Sequence, residues 1–190
     1  GSTFTTINLD DYVSDVDNTD AEMTWTASGN TDLTVSIDAS RVATITIPDV
    51  DWNGTETITF RATDPGILFA LFDEDSASFT VTAVNDVPVV SDIPDQSIAE
   101  GASFTTINLD DWVSDVDNTD AEMTWTASGT TDLTVSIDIN RMATITIPDV
   151  DWNGSETITF RATDPGLLFS ADAATFTISA DNDAPAVADI

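Results

Sequence analysis

Residues 4–66 of this chain recur at 104–166 almost letter for letter, so whatever fold forms once must form twice at a period of a hundred residues. The two copies differ only at Tyr12/Trp112, Asn30/Thr130, Ala39/Ile139, Ser40/Asn140, Val42/Met142 and Thr55/Ser155, and just beyond at Ile67/Leu167. A domain repeated this faithfully multiplies a mechanical or binding unit, because an active site gains little from tandem duplication. The expected division is a first repeat over 1–86, a second over 87–183, and the start of a further repeat at 184–190.

The second copy reads as a complete all-β domain. Val89-Val90 through Ile98 forms a first strand, interrupted by Pro94 and therefore suited to an edge. Phe104 to Leu109 is a second strand, Ser114 to Glu122 an acidic loop, and Met123-Thr-Trp125-Thr126 opens a third strand. Leu133 to Ile137, Met142 to Ile147 and Glu156 to Ala162 supply three more, with a turn at Asn153-Gly154, and Ala174 to Ala180 closes the domain. About seven short strands at roughly ten-residue spacing predict a Greek-key β-sandwich of the immunoglobulin-like kind. Trp25/Trp125 and Phe60/Phe160 fall on alternating strands and read as core, while Trp52/Trp152, beside Asn53-Gly54, reads as a plug over the sandwich end or as a sugar-stacking platform. The first copy starts at the second strand and so lacks its own first strand, which leaves a half-open sheet edge. A three-residue insertion after Asp64-Pro65-Gly66 also gives it the apolar run Ile67-Leu-Phe-Ala-Leu-Phe72, which could pack over that edge, form an interface or lengthen the last two strands.

Charge restricts the partners. The chain has 35 acidic side chains against four arginines, no lysine and no histidine, for a formal charge of −31. Nucleic acid and anionic membranes need cationic contacts and are excluded as partners. No apolar run is long enough to span a membrane. Without cysteine there is neither a disulfide nor a Cys-based zinc site. Aspartate far outnumbers glutamate. Asp favours turns and binds Ca²⁺ from loops, whereas a purely salt-adapted acidic surface would use Glu as freely; the two causes can coexist.

Strand parity places the acidic loops. The junction between repeats should collect Asp49, Asp51 and Glu56 from the first copy and Asn85 and Asp86 from the linker. From the second copy it should collect Asp115, Asp117, Asn118 and Asp120, with Asp164 nearby. So many carboxylates repel unless a cation neutralises them, and Asp-x-Asp in an extended segment presents two carboxylates on one side. A solvated turn is the alternative reading of the same loop, and the absence of a central glycine rules out an EF-hand.

Ile93-Pro-Asp-Gln-Ser-Ile-Ala-Glu100-Gly, Val113-Ser-Asp-Val-Asp117, Asp151-Trp-Asn-Gly154, Ala162-Thr-Asp-Pro-Gly166 and Val84-Asn-Asp-Val-Pro88 together point to one family. In combination they resemble the cadherin-like, immunoglobulin-like tandem repeats of large bacterial surface adhesins, including those of the RTX type. The resemblance implies secreted, extracellular arrays on the bacterial cell surface, stiffened by interdomain Ca²⁺. It assigns Asp115 and Asp117 to the cadherin Asp-x-Asp element and Asn85 and Asp86 to the linker. Asp51 and Glu56 stand near the Asp-Arg-Glu element, and Glu100 serves the next junction with Asn182 and Asp183. Ala83 and Ala180 stand where the cadherin linker has Asp.

The expected function is that of a calcium-stiffened extender of an adhesin, partnered by calcium ions and neighbouring repeats. The alternatives are a carbohydrate- or partner-binding module using Trp52/Trp152, and self-association by strand donation into the open edge. With no His, Cys or Lys, and with the acidic pairs that recur identically in both copies reading as structural, an enzyme is not expected.

Overall fold

The computed structural model describes residues 4–66 and 69–182. The chain divides into two units, Gly1–Val84 and Asn85–Ile190, so the linker pair Asn85-Asp86 belongs to the second. Both units are β-sandwiches.

The first unit contains β1 (Ile7–Asn8), β2 (Thr24–Ser28), β3 (Thr34–Ile37), β4 (Val42–Thr46), β5 (Gly54–Thr63) and β6 (Phe72–Val81). One sheet has the order β1-β4-β3 and the other β2-β5-β6, all antiparallel. Alternation in the sequence sets which faces meet. Along β5, Glu56, Ile58, Phe60 and Ala62 turn inward, while Thr55, Thr57 and Arg61 stay exposed. On the outer face, hydroxyls pair across the β5–β6 ladder: Thr55 with Thr80 at 2.8 Å, Thr57 with Ser78 at 3.1 Å and Thr59 with Ser76 at 2.8 Å. Leu9, Leu33, Ala43, Ile45, Ile58, Phe60 and Phe79 form the core between the sheets.

The second unit repeats this plan and completes it. Its strands are β7 (Val89–Val90), β8 (Gln96–Ala99), β9 (Ile107–Asn108), β10 (Val113–Ser114), β11 (Thr124–Ser128), β12 (Thr134–Ile137), β13 (Met142–Thr146), β14 (Gly154–Thr163) and β15 (Phe169–Ser179). One sheet is β11-β14-β15-β8; the other holds β12-β13-β9, and β10 pairs with β7. The first strand is therefore split around Pro94. β7 runs antiparallel to β10 and β8 runs parallel to β15, so a single segment joins the two-stranded β10 ladder to the four-stranded sheet. The second strand is split too: the four-residue 3-10 turn Leu109–Trp112 separates β9 from β10 and drops Leu109 fully into the core.

Every expected strand forms, with shifts at its ends. The turn expected at Asn153-Gly154 closes earlier, where the Trp152 N–H donates to the Asp149 carbonyl at 3.1 Å. Gly154 instead opens β14 with φ +154, and a Cβ there would meet the Trp152 ring at 2.9 Å. Trp52 and Trp152 are half-buried against their cores, which is the plug arrangement. The insertion lengthens the hairpin loop and leaves the strands alone. Thr63 faces Phe72 in the first unit as Thr163 faces Phe169 in the second, so the extra residues lie between. Ile67 and Leu68 lie outside the described residues; Phe69 and Leu71 are exposed.

Near-identical sequences thus acquire different burial. Phe160 is 0 % exposed and Phe60 is 7 % exposed, and Val113-Ser114 pairs with β7 whereas Val13-Ser14 pairs with no strand among the described residues. Phe160→Ala should cost about 3–5 kcal/mol, and Phe60→Ala less, because its site is already partly open. Chemical denaturation of the two variants checks this; equal losses would mean that the first strand adds nothing to the packing around this ring.

Candidate metal centre

The loop that follows β10 is shaped by its own aspartates. Asp115 Oδ1 accepts the backbone N–H groups of Asp117 and Asn118, each at 2.8 Å, and the same turn forms around Asp15 at 2.7 and 2.8 Å. A capping box follows: Glu122 Oε2 accepts the N–H of Thr119 at 2.9 Å and its hydroxyl at 2.8 Å, leading into the 3-10 turn Asp120–Glu122. The Thr119 N–H, then its hydroxyl, hold the Glu122 carboxyl below the ordinary glutamate range.

In the second unit the linker lies on this loop. The Asp86 N–H donates to Asp117 Oδ2 at 2.7 Å. Asn85 Nδ2 donates to Asp164 Oδ2 at 2.9 Å and to the Asp86 carbonyl at 3.2 Å. The Asp-Pro-Gly loop accepts the linker closely: a Cβ at Gly166 would stand 2.5 Å from the Asn85 side chain. Asp164 is 3 % exposed, and its Oδ1 accepts the Leu168 N–H at 2.9 Å. Asn85, Asp86, Asp115, Asp117 and Asp164, drawn from three separate stretches of sequence, therefore meet at one end of this unit.

Two oxygens in this cluster have nothing to accept among the described residues. Asp115 Oδ2 and Asn118 Oδ1 are buried without a hydrogen-bond partner. Each such atom costs about 1–3 kcal/mol when left unpaired. Both are acceptors on hard oxygen groups, the donor type that Ca²⁺ selects. Among the described residues no three Asp, Glu, His or Cys side chains converge closely enough to hold a metal by themselves. A cation here would draw on amide and backbone oxygens and water as well, as Ca²⁺ sites do.

Of the other expected ligands, Asp51 and Glu56 belong to the first unit and Glu100 to the second. Glu56 is tucked inside β5, where Oε1 accepts the Thr31 N–H at 2.9 Å, the Asp32 N–H at 2.7 Å and the Thr31 hydroxyl, and Oε2 accepts the Leu33 N–H at 3.1 Å. Glu156 makes the same clamp with Thr131, Asp132 and Leu133. These contacts span 23 to 25 residues of sequence, and no local motif announces them. Asp51 is an exposed member of the turn after β4, its N–H donating to Asp49 Oδ1 at 3.1 Å. Glu100 is in the second unit, with Oε2 accepting the Asp181 N–H at 2.9 Å. Asp183 lies outside the described residues.

A sandwich with this split first strand and this strand order defines the class of immunoglobulin- and cadherin-like domains. The bacterial Ig domain family matches residues 85–179, half of the chain, and the chain belongs to that family. No curated protein matches it. Among solved structures it is similar to the protocadherin γB7 EC3–6 cis-dimer, with 19 % identity, a TM-score of 0.53, and 83 % of this chain and 42 % of that one covered. It is also similar to human protocadherin-24 EC1–2, with 16 % identity, a TM-score of 0.51, and 89 % and 85 % covered. The chain thus spans less than half of the protocadherin γB7 fragment. At these identities the likeness is one of fold.

The glutamate clamp has a pH signature. The Thr31 hydroxyl, then the Asp32 N–H, hold the Glu56 carboxyl down from the ordinary value of 4.5 to about 2. For Glu156, burial pushes the other way, but the donors from Thr131, Asp132 and Leu133 outweigh it and the net shift is downward. A depressed folded-state pKa contributes stability that is present above the ordinary value and lost as the pH falls toward the folded one. Glu56→Gln with Glu156→Gln should therefore lower the denaturation midpoint at neutral pH and flatten its pH dependence below 4.5. An unchanged acid slope in the double variant would contradict the clamp.

Proposed function

We propose that the chain is a pair of extender repeats from a bacterial cell-surface adhesin, working outside the cell and stiffened by calcium at the linker end of each sandwich. The observation that carries this reading is the pair of buried, unpartnered oxygens on Asp115 and Asn118, in the loop whose Asp117 already holds the linker through Asp86. Asn85, Asp86, Asp115, Asp117, Asn118 and Asp164 are the residues we propose to hold the ion. Glu56 already accepts hydrogen bonds at both oxygens, which favours a structural role for it. The ion would supply positive charge where carboxylates crowd.

Its mechanical effect follows from what it would join. The linker and the loops after β10 and β14 are separate segments, and one multivalent ion bound to all of them removes their independent motion. A short link made rigid in every repeat turns a string of domains into a rod whose length is set by repeat number. Domains of this fold are typically non-enzymatic structural modules, and among the described residues no helix is long and apolar enough to cross a membrane. Trp52 and Trp152 packed on their cores support the structural role over sugar stacking.

Thermal unfolding in excess EDTA, in millimolar Ca²⁺, and in Mg²⁺ or NaCl at matched ionic strength tests the proposal. Calcium at a hundredfold above Kd contributes about 2.7 kcal/mol, a rise of about 10 °C or more for a domain of this size. Asp115→Asn keeps Oδ1, which shapes the turn, and replaces only the unpartnered oxygen. It should abolish most of the calcium-specific rise while leaving the midpoint in EDTA near that of the parent chain. Equal stabilisation by every salt would assign the acidic surface to salt adaptation instead.

A further inference from the structure

In the second unit the segment that enters the sandwich and the strand that leaves it run side by side in the same direction. β8 pairs with β15 in parallel, Gln96 to Ala99 against Phe176 to Ser179. The chain arrives before β7, at the N-terminal end of this seam, and departs after β15, at its C-terminal end. A pull along the chain therefore slides one strand against the other. The ladder bonds then lie across the force and give way together, whereas bonds loaded from one end break in turn. The contact of β7 with β10 is two residue pairs long against four for β8 with β15, so the β15 seam is the longer hold.

Side chains carry the seam past the ladder. Pro94 has no N–H to offer, and on either side of it carboxylates make the contact instead. The Ile93 N–H donates to Asp172 Oδ2 at 2.7 Å, and the Thr175 N–H donates to Asp95 Oδ1 at 2.6 Å. At one end the Val90 N–H reaches Ser170 Oγ at 3.4 Å. At the other the Glu100 N–H donates to the Ser179 carbonyl at 3.0 Å, and Glu100 Oε2 accepts the Asp181 N–H at 2.9 Å. The contact thus runs from residue 90 to residue 100 on one strand and from 170 to 181 on the other. Bonds to a carboxylate are roughly twice as strong as those between neutral groups. Of the acidic residues of β6, Asp73, Glu74 and Asp75, only the last has an acidic counterpart in β15: Asp75 faces Phe60 as Asp172 faces Phe160.

We infer that the seam between residues 90–100 and β15 is where the repeat resists tension, and that Asp95, Asp172 and Glu100 are the side chains that carry force across it. Each is an acceptor for a backbone donor of the facing strand or of the residues just after it. The inference rests on the extender reading for the direction of force alone, and it needs no ion.

The chain has no cysteine, so an introduced pair is the sole attachment for single-molecule force measurement. In the full chain in excess EDTA, Val84→Cys with Asn182→Cys loads the seam in shear. Val84→Cys with Leu167→Cys, between β14 and β15, grips the same end of both strands and peels them apart. Held at one force, the peeling pair should unfold about a hundredfold faster, because its bonds break singly. Adding Asp95→Ala, a change at an exposed residue, should raise the unfolding rate of the shear pair about tenfold. It should leave the rate of the peeling pair nearly unchanged, which a merely structural role for Asp95 would not. Equal rates in the two directions, or an Asp95→Ala effect that is absent or the same in both, would overturn the inference. Failure of the calcium-specific rise in thermal unfolding would remove the ion and leave this seam standing, so the two failures are told apart.

Discussion

The passage of one segment from sheet to sheet is the constraint on which the second repeat depends. By pairing with β10 through β7 and with β15 through β8, residues 89–99 join the β10 ladder to the four-stranded sheet. The near-identical repeats serve as an internal comparison. Where this segment is present, Val113 and Trp125 are buried and Phe160 and Ala162 reach zero exposure; where it is absent, Val13 and Trp25 stay half-buried and a groove opens beside them. Most core residues are the same in both copies, Tyr12/Trp112, Val42/Met142 and Val81/Ile178 apart, and beside these the second unit has the segment 89–99, which hydrogen-bonds one sheet edge and covers apolar surface at once.

The same segment determines where the charge goes. To enter β7 the chain passes Asn85 and Asp86, and this brings the linker onto the Asp115 loop and the Asp164 loop. Carboxylates that would repel are thereby held within hydrogen-bond reach of linker donors. Asp117 and Asp164 each find a donor there, whereas Asp115 Oδ2 and Asn118 Oδ1 are left with none. A chain of net charge −31 is soluble and self-repelling. Buried acceptors inside such a field are the positions where a divalent cation gains most, because screening by water and salt is weakest there. This is the physical basis for reading the acidity as a mechanical device rather than as surface chemistry alone.

Much of this was legible from the residues. The period-two alternation in Thr144-Ile-Thr-Ile147 and Glu156-Thr-Ile-Thr-Phe160 marks strands with one buried face, and the spacing of turns gives the sandwich. The parity of those strands brings the linker and the Asp-x-Asp loop to one end, where the second unit has them. What was not legible depends on tertiary contacts. Leu109-Asp-Asp-Trp112 reads as loop or strand, and its 3-10 turn follows from Leu109 turning into the core. Glu56 reads as a ligand because the donors that occupy it lie on another loop, 23 to 25 residues away. The insertion reads equally as a cover for the open edge, an interface or longer strands, and the register of Thr63 with Phe72 shows that the strands are not lengthened.

The most direct measurement is a calcium titration followed residue by residue by amide NMR, with magnesium and sodium at matched ionic strength as controls. The account predicts saturable, calcium-specific shifts confined to Asn85 and Asp86, Asp115 to Asn118, and Asp164 to Gly166, with the core strands unmoved. Small shifts spread over the whole acidic surface, equal for all three cations, would contradict a bound ion at the linker and with it the mechanical role.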